Sequence, residues 1–262
     1  RMSTSDFDDN PLRPYNIMHT SFLVNSNKID FTVTKKSTNT VQIEPVFLPE
    51  GVSFLDQLEI AAGSCANFRD EVKFTQIIQK ENPPNTVIRL SGTYPENCDS
   101  FVYDISLTDP NHYFFGAFKR LWLESGGSFK GYIRGGKTRL FDKPLVSFDS
   151  ATLAEIATES VKESDNLISR HIFLSLNQSL LGKKNYKASR KIMKEVLSKN
   201  GINITDSAFI ENGSGLSRNT KIRPETILDL LQAMEQHPSS DILLNALPVS
   251  GIDGTLEDKY QS

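Results

Sequence analysis

The stretch KESDNLISRHIFLSL, residues 162–176, places Ser164, Asp165 and Asn166 where one amphipathic pattern stops and the next begins. A hydroxyl and a carboxamide two positions apart can pass a proton and hold an amide, as serine acyl transfer requires beside its nucleophile. The plainer reading is a helix cap: Ser164 or Asp165 would accept hydrogen bonds from the unpaired N–H groups of a helix starting near Asn166. A cap does not need both a serine and an asparagine. Ser164 also stands 11 residues after Leu153, so a helix continued that far would point it where the apolar face points. A polar pair directed there is costly without partners, which in a serine acyl transferase are the nucleophile's lysine and the substrate amide.

Other residues with chemical potential are sparser. In NGSGLSR (212–218), Gly213 and Gly215 suit a tight loop, from which Ser214 or Ser217 could touch a cleft or simply close an ST-turn. His19, His112, His171 and His237 are scattered without ligand spacing, so no metal site and no cofactor are expected. Cys65 and Cys98, 33 positions apart, are compatible with two reduced buried thiols or with a disulfide in an oxidising compartment.

The chain that must position these groups has 262 residues, 38% of them hydrophobic and 23% charged, with a net charge of −3. That describes an ordinary globular protein of one large or two to three smaller domains, without the basic surface that nucleic acid or anionic membranes attract. No apolar run approaches the roughly 20 residues of a membrane span. The opening RMSTSDFDDNPLRPYN lacks the charged and apolar regions of a signal peptide, so export information was removed or the chain is a piece of something longer.

The first 110 residues read as β-rich. FLVNSNKIDFTV (22–33) predicts a hairpin turning at Asn25-Ser26-Asn27, with Ile29, Phe31 and Val33 on one buried face. VQIEPVF (41–47), VKFTQII (72–78), NTVIRLSG (85–92) and FVYDISL (101–107) are further strands; PEGVSF, AAGSCANFRDE and KENPPNT have turn or loop compositions. A helix follows, capped by Asp109 with Pro110 in its first turn and ended by Gly126-Gly127, then a strand FKGYIR. From Ser150 helices dominate. One is capped by Ser150 and carries Leu153, Ile156, Ala157 and Val161 on one face; others run from Asn166 to about Leu180, over KASRKIMKEVLSKNG, and from Pro224 to before His237. No internal repeat or low-complexity segment occurs.

Four segments in order carry a resemblance. KESDNLIS looks like the Ser-x-Asn motif of penicillin-binding proteins in its Ser-Asp-Asn form. RPYNIMHTSFLVNSNKIDFTV, ENGSGLSRNTKIRP and LPVSGIDGTL resemble segments of the D-alanyl-D-alanine carboxypeptidase/endopeptidase family of penicillin-binding protein 4, the class C low-molecular-mass penicillin-binding proteins. Two of the motifs that family uses are missing here. No serine has a lysine three positions later, and the nearest approach to Lys-Thr-Gly is Lys137-Thr138-Arg139, which precedes Ser-x-Asn and reads as a surface turn and strand edge. The chain therefore looks like an internal portion of such an enzyme.

The resemblance implies an α+β, multi-domain fold: the helical lobe of a transpeptidase-like (β-lactamase-like) domain plus β-rich inserted domains. Residues 1–40 and 101–143 would belong to an inserted domain, 41–100 to a small β-rich domain nested in it, and 144–262 to the catalytic domain. It implies acylation of a serine outside this chain by the D-Ala-D-Ala end, or a D-Ala-linked cross-link, of a peptidoglycan stem peptide. Ser164 would pass a proton toward the leaving amine, and Asn166 would hold the lysine and the acyl-side amide. Asp165 would face away and order the turn, while Ser214, Gly215 and Ser217 would touch substrate. β-Lactams would acylate the complete enzyme. The family likeness further implies a Cys65–Cys98 disulfide and a periplasmic location. The alternative is a non-catalytic relative or fragment that binds peptidoglycan or a partner protein.

Overall fold

A computed structural model describes residues 7–20, 23–79, 85–137, 141–177, 185–202, 204 and 208–259. The chain divides into two compact units, Arg1–Asp142 and Lys143–Ser262. The fold is α+β, with the strands in the first unit and most of the helices in the second.

The first unit holds two three-stranded sheets. In one, β1 (Lys28–Lys35) lies between β2 (Val41–Pro45) and β6 (Ser100–Ser106), antiparallel to both. In the other, β5 (Asn85–Pro95) runs parallel to β3 (Val52–Ala61) and antiparallel to β4 (Val72–Gln79). The period-2 pattern of β1 buries Ile29, Phe31 and Val33 completely. They join Ile88, Leu90, Tyr103 and Ile105 in one core, in which the Phe31 ring meets Phe54 at 4.9 Å and Phe74 meets Tyr103 at 4.9 Å. A disulfide joins Cys65, in the 3-10 turn before the short α1 (Phe68–Glu71), to Cys98, just before β6, with Cα atoms 5.7 Å apart. α2 (Pro110–Glu124) begins as its sequence predicts: the Asp109 carboxylate accepts hydrogen bonds from the N–H groups of Asn111 and His112. A Cβ at Gly116 would lie 2.5 Å from the Glu50 carbonyl oxygen, so only glycine lets α2 approach that loop.

Three expectations fail here. The Asn25–Asn27 turn, at φ of 47°, 48° and 51°, does not close a hairpin. Both edges of β1 are occupied, by β2 and β6, leaving no edge for the chain before the turn. FKGYIR is not a strand among the described residues; Phe129 packs on Phe115 and Phe118 of α2 instead. PEGVSF is a turn only as far as Gly51, because β3 begins at Val52.

The second unit is helical: α3 (Leu153–Lys162), α4 (Asn166–Ser175), α5 (Tyr186–Lys199), α6 (Pro224–Glu235) and α7 (Ser240–Ala246), the last not foreseen from sequence. α3 is capped by Thr152 rather than Ser150. The Thr152 hydroxyl accepts from the Glu155 N–H while the Glu155 carboxylate accepts from the Thr152 N–H at 2.8 Å, a reciprocal capping box. α4 stops at Ser175, where Leu176 and Asn177 turn to i→i−3 bonds, short of the expected Leu180. No helix among the described residues is long and apolar enough to cross a membrane.

Candidate active site

The link between α3 and α4 is a helix C-terminus followed at once by a helix N-terminus. α3 ends at Lys162, so Ser164 does not continue its apolar face as the spacing suggested. The Asp165 N–H donates to the Ser160 carbonyl at 2.9 Å and the Ser164 N–H to that of Val161 at 3.4 Å. This pair is the Schellman closure, and it puts Ser164 in the left-handed position that glycine normally fills, at φ +53°. Asp165 then caps α4, its carboxylate accepting from the Ile168 N–H at 2.7 Å. The two readings of Ser-Asp-Asn thus fall on different residues. Asp165 is the cap, and the Ser164 hydroxyl, outside that bond, lies 3.4 Å from the Thr255 hydroxyl.

Asn166 opens α4 and donates through Nδ2 to the Ser214 carbonyl at 2.7 Å, which ties the turn to the glycine loop. That loop is built around buried Asn212. Its Oδ1 accepts from the Ser214 N–H at 2.9 Å and hydroxyl at 2.8 Å, and its Nδ2 donates to the Leu216 carbonyl at 3.0 Å. Gly213 and Gly215 take φ of +70° and +79°, conformations that side chains disfavour. Together these elements enclose an open cleft of about 330 Å³ lined by Ser160, Val161, Ser164, Asn166, Ser169, Gly213, Ser214 and Gly215. Its walls offer hydroxyls, amides and backbone, and none of these side chains is charged.

Ser164, Asn166, Ser214 and Gly215 are therefore brought together. Ser217 stands apart: its hydroxyl donates to the Glu211 carboxylate and accepts from the N–H groups of Asn219 and Thr220, each at 3.0 Å. Ser160 and Ser169, hydroxyls 2.7 Å apart, also line the cleft. Sequence reading missed both, because helical spacing alone gives them no chemistry. Missed as well was a contact from far along the chain. The Lys162 ammonium donates to the Asp253 carboxylate and, at 3.0 Å, to the Leu247 carbonyl. The hydrogen bond from Lys162, with one from the Val249 N–H, holds the Asp253 carboxyl below its ordinary range. Thr138 and Arg139 of the Lys137-Thr138-Arg139 triplet lie outside the described residues. Among the described residues no cluster of His, Cys, Asp and Glu is placed to hold a metal ion.

This mixed α+β architecture is similar to that of solved penicillin-binding protein structures. The chain superposes on penicillin binding protein 4 of Haemophilus influenzae complexed with a β-lactam at a TM-score of 0.72 and 19% identity, over 94% of this chain and 55% of that one. A second structure of that protein gives 0.68 and 20%, over 97% and 55%. Residues 4–262 match the family described as D-Ala-D-Ala carboxypeptidase 3 (S13), and the chain belongs to it. Among curated relatives it is 28% identical over 130 residues to the D-alanyl-D-alanine carboxypeptidase DacB of H. influenzae, covering 47% of this chain and 27% of that protein. It is also 28% identical over 222 residues to a D-alanyl-D-alanine carboxypeptidase of an Actinomadura strain, covering 81% and 39%. The matched segments thus cover well under half of either relative, and the whole chain is about half their length.

Proposed function

We propose that residues 1–262 form part of a serine-type D-alanyl-D-alanine carboxypeptidase/endopeptidase that acts outside the cytoplasm, in the periplasm, on peptidoglycan stem peptides through an acyl-enzyme. The observation that carries this reading is the Ser164–Asn166 turn. A serine occupies a strained glycine position there, with its hydroxyl outside the capping bond, in one cleft with an asparagine anchored to the glycine loop. Ser164 passes a proton toward the leaving amine, while the Asn166 side chain holds the acyl-side amide and the base. Asp165 keeps the turn in register, and Ser214 and Gly215 present loop backbone to the substrate. Ser217, engaged with Glu211, acts at one remove, by shaping the loop that carries them. The nucleophile and its lysine, with the Lys-Thr-Gly strand, come from outside this chain.

The domain reading accompanies this one. Residues 1–40 and 101–143 belong to an inserted domain, 41–100 to a nested β-rich one, and 144–262 to the catalytic domain. β2, which opens the nested segment, hydrogen-bonds to β1 of the outer one.

The experiment is covalent labelling with a reporter penicillin. The 262-residue chain alone is expected to take no label, whereas the full-length protein takes it. Full-length Ser164→Ala and Asn166→Ala are each expected to acylate about 10²–10⁴-fold more slowly, the usual cost of losing a positioned proton-transfer group. Label on Ser164 of the isolated chain would refute the reading. A full-length Ser164→Ala variant acylated at the normal rate would remove the relay role and leave the Ser-Asp-Asn turn as a helix cap alone, whereas a full-length protein that takes no label would leave a peptidoglycan- or partner-binding module.

A further inference from the structure

A non-glycine residue in the left-handed region persists only where its surroundings over-determine it. The surroundings of Ser164 come from the segment Val249–Leu256, about ninety positions away. The Asp253 carboxylate joins the two: one oxygen accepts from the Val249 N–H at 2.8 Å, the other from the Lys162 ammonium in the last turn of α3. Lys162 also donates to the Leu247 carbonyl beyond α7, so a single ammonium fastens the end of α3 to both ends of the loop that follows. The Lys162 side chain is four-fifths buried, while the Asp253 carboxylate stays open to solvent on one side. Gly254, at φ +59°, brings the loop so close that a Cβ would fall on the Lys162 carbonyl oxygen. One residue further on, the Thr255 hydroxyl stands opposite that of Ser164.

We infer that Val249–Leu256 is a brace for the Ser164 turn, with Lys162 and Asp253 as positioning residues that fix where the Ser164 hydroxyl points. This rests on the reading of Ser164 as the proton relay. The brace touches no substrate. It seats the end of α3 and places Thr255 beside a hydroxyl that would otherwise rotate freely on an exposed turn.

The test is a double-mutant cycle in the full-length protein, read as the acylation rate constant with a reporter penicillin, with thermal melts as the fold control. Alone, Asp253→Asn is expected to slow acylation roughly 10- to 100-fold, as displacement of a reacting group does. In a Ser164→Ala background the same change is expected to add almost nothing, because the group it aims is gone. Lys162→Arg, which keeps a cationic donor, is expected to recover most of the rate that Lys162→Met loses. An unchanged rate in Asp253→Asn would overturn the inference, as would an equal loss with and without the Ser164 hydroxyl. If Ser164→Ala itself acylates normally, the relay reading fails first and the brace falls with it.

Discussion

At the scale of single residues, Ser164 is where local rules and the observed structure disagree. A Schellman closure favours glycine at its left-handed position, yet serine is there at φ +53°. Left-handed geometry costs an ordinary residue about 1–2 kcal/mol, and glycine loses roughly 0.4–1 kcal/mol through its more flexible unfolded chain. Ser164→Gly is therefore expected to leave the melting temperature unchanged or slightly raised while slowing acylation of the full-length protein, as in a site that trades stability for chemistry. A clear drop in melting temperature would instead make Ser164 a structural residue. A second residue-scale prediction concerns pH. The Tyr15 hydroxyl donates to Asp8 at 2.6 Å, and burial followed by that bond pushes Tyr15 up to about 12. Burial pushes Asp8 the other way from its net shift, but hydrogen bonds from Tyr15, Asn16 and Asn10 outweigh it and hold the carboxyl below 3.8. The Tyr15 contribution is fully present below pH 10 and lost as pH rises toward 12; that of Asp8 is present above 3.8 and lost as pH falls. Ultraviolet titration against Tyr15→Phe is expected to remove a tyrosine step near pH 12. Ser164 and Asn166, which line one cleft, were singled out in the sequence by their types and spacing. Lys162 and Asp253 were not, because a contact across 91 residues leaves no periodic trace.

At the scale of elements, strands with one deeply buried face were the easiest to read. β1 alternates because one face is wholly buried, and β6 buries Tyr103 and Ile105 for the same reason. β3 was missed because it is a mostly exposed strand made regular by parallel pairing with β5, a long-range contact. FKGYIR fails in the opposite sense: its residues are strand-like, yet among the described residues it pairs with no strand. Cap chemistry located α2 through Asp109, but Ser150 and Thr152 both satisfy the local preference. The choice fell to Thr152, three residues before the Glu155 that returns the bond. The Cys65–Cys98 disulfide fastens the 3-10 turn before α1 to the chain entering β6. Closing a loop of 33 residues is worth about 3–4 kcal/mol in the chain-entropy account. Denatured, unreduced protein is accordingly expected to show no reactive thiol. Reduction is expected to lower the denaturant midpoint of the first unit without moving signals from α3–α7. Two reactive thiols before reduction would contradict the pairing.

At the scale of the whole molecule, the two units differ in how they are held. The large core of buried residues runs from Leu12 to Ala117, entirely within the first unit, and is knit by packed rings and a disulfide. Among the described residues of the second unit, the buried apolar side chains are Leu167, Phe173, Leu174, Ile202, Ala208 and Ala246, two of them alanines. Leu228 and Leu231 on α6 and Leu244 on α7 are meanwhile about half exposed or more, as is Ile252 in the loop after α7. At about 25 cal/mol per Å² of apolar surface removed from water, such a unit has far less to set against the entropy of ordering its chain. The 262-residue chain is thus expected to unfold in two stages, not one, with α3–α7 melting first and the sheets later. Native-state hydrogen exchange is expected to show α4 and α5 amides opening at a lower free energy than those of β1 and β5. Since the Ser164 turn sits between two of these weakly held helices, the order of melting decides when the cleft is lost. Loss of the cleft should precede any change in the tyrosine fluorescence of the sheets. A single transition seen alike by both probes would mean that the helical unit draws its stability from the first unit and does not stand on its own core.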